Sequence, residues 1–86
     1  MSMETEAYDE LIKALTTYQT ELETSKRKMV EAGVACDAAM GSDEVAKKQL
    51  ERLNEMITTL GKTIIKTENL KKALMSDKMK ALDVLK

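Results

Sequence analysis

Apolar residues recur every three or four positions along almost the whole chain. From Tyr8 to Ala39 they fit one heptad repeat, with Tyr8, Leu15, Leu22, Met29 and Cys36 as a positions. The d positions are then Leu11, Tyr18, Ser25, Ala32 and Ala39. Such spacing draws one stripe along an α-helix, and the stripe leaves water only against another helix. The repeat predicts helix 1 from about Glu4 to Met40, stopped by Gly41-Ser42-Asp43. Gly41 suits the left-handed C′ position that ends many helices. Ser42 or Asp43 offers an N-cap oxygen to a second helix. A second stripe follows through Ala46, Leu50, Leu53, Ile57, Leu60, Ile64, Thr67, Leu74, Ala81 and Leu85, predicting helix 2 from about Glu44 to Leu85.

The fold class expected is all-α: two long antiparallel helices in a coiled-coil-like hairpin, one domain over residues 1–86, completed by oligomerisation or a partner. A single uninterrupted helix is the alternative, but it would carry Gly41-Ser42-Asp43 in its middle, against their helix propensities. Charge tests the hairpin independently. Residues 1–40 carry a net −4 and residues 41–86 a net +3. If the chain folds back at Gly41-Ser42, facing residue numbers add to roughly 83. The acidic Glu4–Glu10 segment then meets Lys71, Lys72, Lys78 and Lys80, and Lys26–Lys28 meets Glu51 and Glu55. Exposed pairs contribute only a few tenths of a kcal/mol each, so the pattern sets orientation more than stability. Gly33 and Gly61 lie inside the helices, and in this register each seats a leucine, Leu50 and Leu22 respectively.

Composition narrows the function classes. The chain has no proline, phenylalanine, tryptophan or histidine, and two tyrosines. Aromatic residues dominate most small cores, so their scarcity argues against a compact globule and for stabilisation by association. A net charge of −1 and no basic run longer than Lys26-Arg27-Lys28 give no footprint for nucleic acid. One cysteine forms no internal disulfide. An acidic N-terminus without an apolar region predicts no signal peptide, and no apolar run approaches the ~20 residues of a membrane span. The compartment expected is the cytoplasm, with export only by a route that needs no cleaved signal.

Catalytic chemistry is not expected. The commonest general base and metal ligand is missing with histidine, and the carboxylates alternate with lysines on solvated faces. Cys36 reads as a small buried hydrophobe without a neighbouring base. No cofactor, metal or small-molecule substrate is expected. The segment from Glu31 to Gly41 is rich in small residues, which suits either close packing of helix 1 on helix 2 or the approach of a partner helix.

The apolar faces are wider than one seam requires. Ile12, Val30, Val34 and Met40 flank the first stripe; Val45, Met56, Ile65, Leu70, Met75, Met79 and Leu82 flank the second. Single apolar residues on a helix surface are common, but these are many, and several are methionines, which suit adaptable contacts. They are expected to bind a partner helix.

With Ala39-Met40-Gly41 at its turn, the chain resembles the small WXG-motif helical hairpins exported by type VII secretion systems. Those proteins carry tryptophan two residues before the glycine, where this chain has Ala39. It also resembles the small targeting proteins that accompany LXG-domain toxins of the same systems, some of which carry Phe-x-x-x-Asp near the C-terminus. Here Met79-Lys-Ala-Leu-Asp83 has that spacing, with methionine for phenylalanine. The resemblance covers the chain in outline. It implies a chaperone that binds the helical N-terminal domain of a toxin, beside a second small helical protein, with Met79 and Asp83 contributing to a secretion signal. Two rival classes are a self-associating structural bundle and an adaptor of another secretion or phage assembly system. An enzyme is the weakest reading.

Overall fold

The computed structural model describes residues 3–84, and they form two helices, α1 (Met3–Met40) and α2 (Glu44–Val84). The helices fold back on each other as a hairpin of 65 × 15 × 12 Å. Its radius of gyration is 19.2 Å, against about 12 Å for a compact domain of this length. The expected all-α antiparallel hairpin is the observed fold.

The turn forms for local reasons. Gly41 has φ +26° and donates its N–H to the Asp37 carbonyl at 2.9 Å, the left-handed closure of a helix C-terminus. Asp43 then caps α2. Its Oδ1 accepts the N–H groups of Val45 at 2.8 Å and Ala46 at 3.3 Å, two of the four that a helix start leaves unpaired. Seven threonines are accommodated within the helices by donating Oγ1 to the carbonyl four residues back, among them Thr16, Thr59 and Thr67.

The seam differs from the expected repeat by half its residues. Burial on α1 follows Thr5, Tyr8, Ile12, Leu15, Gln19, Leu22, Lys26, Met29, Gly33 and Cys36. The expected a positions are therefore in the seam. The expected d positions Leu11, Tyr18, Ser25, Ala32 and Ala39 are all exposed, one residue out of place. The places of the first four are taken by Ile12, Gln19, Lys26 and Gly33, and Thr5 extends the row, so Ile12 is a seam residue and not a flanking one. On α2 the expected stripe is observed from Ala46 to Ala81, with Lys71 and Lys78 filling its two gaps; Leu85 lies outside the described residues. Gln19, Lys71 and Lys78 hold seam places because they find polar partners there.

The register also shifts. Facing residue numbers sum to 87 for Gln19–Glu68, Asp9–Lys78 and Lys26–Gly61. Gly33 does seat leucines: a Cβ built on it would lie 3.0 Å from Leu53 Cδ2 and 3.9 Å from Leu50 Cδ2. Gly61 instead faces Lys26, whose Nζ would lie 3.4 Å from an added Cβ. Lys26 therefore sits across from Gly61 and not from Glu51 or Glu55, and Arg27 pairs within its own helix with Glu31. The acidic start of α1 meets α2 as expected, through an Asp9–Lys78 ion pair.

Candidate functional site

A residue one step before a seam position points about 100° away from it. Because the helices run antiparallel, residues one step before the seam on both helices share one side of the hairpin. Those one step after it share the other. The hairpin thus has two flanks. A groove on the first is lined by Ser25, Met29, Arg52, Met56, Thr59 and Leu60. One on the second is lined by Val30, Gly33, Val34, Asp37, Leu50, Asn54 and Ile57.

The expected partner-binding residues divide between these flanks. Val30, Val34, Ile65, Met75, Met79 and Leu82 stand on the second flank, all exposed, Val34 by 66% and Ile65 by 61%. Met56 and Leu70 are exposed on the first flank. Met40, exposed, ends α1 at the turn beside Gly41, Ser42 and Asp43. Ile12 is in the seam. Leu11, Tyr18 and Val45, also exposed, join the first flank. The sequence signal that separates Leu11 and Tyr18 from the seam is Ile12, an apolar residue that the expected stripe leaves out. Met75, Met79 and Leu82 follow one another at four- and three-residue spacing and form a continuous ridge on α2. Asp83 lies one turn beyond Met79 and is exposed.

Between the two ends of the seam lies a polar cluster. Gln19 donates Nε2 to Glu68 Oε2 at 2.7 Å and accepts from Lys71 Nζ on Oε1 at 2.9 Å. Glu68 and Lys71 are also 3.8 Å apart along α2. The Gln19 hydrogen bond, and then the charges of Lys71 and Lys72, hold the Glu68 carboxyl below its ordinary 4.5 against the opposing effect of partial burial. A satisfied polar group in an apolar seam penalises other registers, because a shifted pairing would bury it without partners.

Among the described residues no group of three or more His, Cys, Asp or Glu is arranged to hold a metal ion, and no helix is long and apolar enough to cross a membrane. Cys36 is half-buried in the seam near the turn. The chain matches no family model, no curated protein and no solved structure.

Proposed function

We propose that this chain is a non-enzymatic helix-binding protein, an accessory targeting chaperone that docks the helical N-terminal domain of an LXG toxin and aids its export through a type VII system. The observation that carries the helix-binding reading is the shared flank of Val30, Val34, Ile65, Met75, Met79 and Leu82, all exposed. A ridge of apolar side chains at three- and four-residue spacing fits an amphipathic helix laid along it. Methionines in the ridge adapt to side chains of varied shape. The toxin as client comes from the sequence resemblance alone. In this reading the chaperone meets its client in the cytoplasm, the flank holds the client domain in solution, and Met79 and Asp83 contribute to the export signal.

The test is co-purification and export of a candidate LXG toxin with the wild-type chain and with Met75→Glu/Met79→Glu. Near-equimolar capture by the wild type and its loss in the double variant support the reading. Equal capture by both removes this flank as the site, and no capture by either removes the toxin as client. Export undiminished by Asp83→Ala would leave Asp83 out of the signal.

A further inference from the structure

The first flank has a different occupant. We infer that it is the self-association surface of the chain: two hairpins pack face to face through this flank, turns at opposite ends, as an antiparallel four-helix bundle. This goes beyond the client reading, which uses the other flank and is independent of it.

Area gives the first argument. The hairpin exposes 6534 Å², whereas a compact monomer of 9.6 kDa exposes about 5,100 Å². The excess of about 1,400 Å² exceeds the ~800 Å² per partner that a stable interface buries. Three residues of those described are buried, Thr5, Ala46 and Thr67, and one of these is apolar.

The pattern along the flank gives the second. One step before the seam, α1 presents Leu11, Ala14 and Tyr18 toward its start and Ala32, Ala35 and Ala39 toward the turn, all exposed. Laid end for end on a second copy, this row sets Leu11 over Ala35 and Ala14 over Ala32. Tyr18 comes over Lys28, within reach of its ammonium. On α2 the same operation sets Met56 over Ala73 and Arg52 over Asp77, the latter twice by symmetry. Bulky side chains meet small ones, and opposite charges meet. A two-fold arrangement with both turns at one end sets Lys66 over Glu21 but leaves Arg52 and Asp77 without an opposite charge. It stacks Tyr18 on Leu70, sets Arg52 over Ala35 and leaves Asp77 against Leu11.

Sedimentation of the purified full chain across a concentration series tests this. The expected result is a species of twice 9.6 kDa. Leu11→Glu/Met56→Glu should raise its dissociation constant a hundredfold or more (roughly, for two buried charges at each of two symmetric places). Arg52→Asp alone should raise it about tenfold, and Asp77→Arg added to Arg52→Asp should restore it, which a mere folding defect would not do. Met75→Glu/Met79→Glu should leave it unchanged. A monomer at every concentration overturns the inference while the client reading stands. So does a dimer that the second-flank variant dissolves, or one in which the charge reversal gives no rescue.

Discussion

Asp43 satisfies two amide groups of α2 with one side-chain oxygen, so the helix start depends on a single carboxylate. Asp43→Ala is expected to lower the unfolding free energy by about 1 kcal/mol, read from urea titration followed by circular dichroism. The two mid-helix glycines separate a propensity effect from a packing effect. Glycine to alanine inside a helix is worth up to about 1 kcal/mol. At Gly61 the nearest atom to a new methyl is the end of the flexible Lys26 side chain at 3.4 Å, so the gain should be realised. At Gly33 the methyl would meet Leu53 Cδ2 at 3.0 Å, and the packed leucine must move. Gly61→Ala should therefore stabilise more than Gly33→Ala, and the reverse order in the same titration would refute this account of the seam. Gly41, at φ +26°, is the position where alanine should cost stability outright.

At the scale of the elements, the polar cluster ties α1 to α2. Glu68 titrates below its ordinary value in the folded chain, so its contribution is complete above 4.5 and fades as pH falls through the lowered value. Melting temperatures taken from neutral pH to about pH 3 should fall less steeply for Glu68→Gln than for the wild type. Parallel curves would mean that Glu68 is not linked to folding. The same cluster explains how far the sequence could be read. Helix limits and turn are legible because glycine and aspartate act locally; the charge pattern is legible at the open end, where Asp9 meets Lys78, but not at Lys26–Lys28. The rotation of α1 about its axis is not legible. Leu11, Tyr18, Ala32 and Ala39 imitate a seam, whereas Gln19 occupies it with its amide paired and Lys26 with the end of its side chain against Gly61. The α2 stripe survives because Leu50, Leu53, Ile57, Leu60 and Ile64 leave little choice of face. The flanking apolar residues, Ile12 excepted, are exposed as their pattern suggests, but their division between two flanks follows only from the true rotation.

For the whole molecule, the seam is unequal along its length. Near the turn it is apolar except for Lys26, through Leu22, Met29, Leu50, Leu53, Ile57, Leu60 and Ile64. Toward the open end it carries Thr5, Gln19, Thr67, Lys71 and Lys78. Polar layers stabilise less than apolar ones of equal size, so the open end should part first. Amide exchange should be slower in residues 22–36 and 50–64 than in residues 5–19 and 67–81, and uniform protection would contradict it. The chain's two tyrosines fall on different surfaces, Tyr8 half-buried in the seam and Tyr18 46% exposed on the first flank. With no tryptophan to mask them, they are native optical reporters. Phenylalanine at Tyr18 leaves a fluorophore that senses separation of the helices, and phenylalanine at Tyr8 leaves one that senses whatever covers the flank.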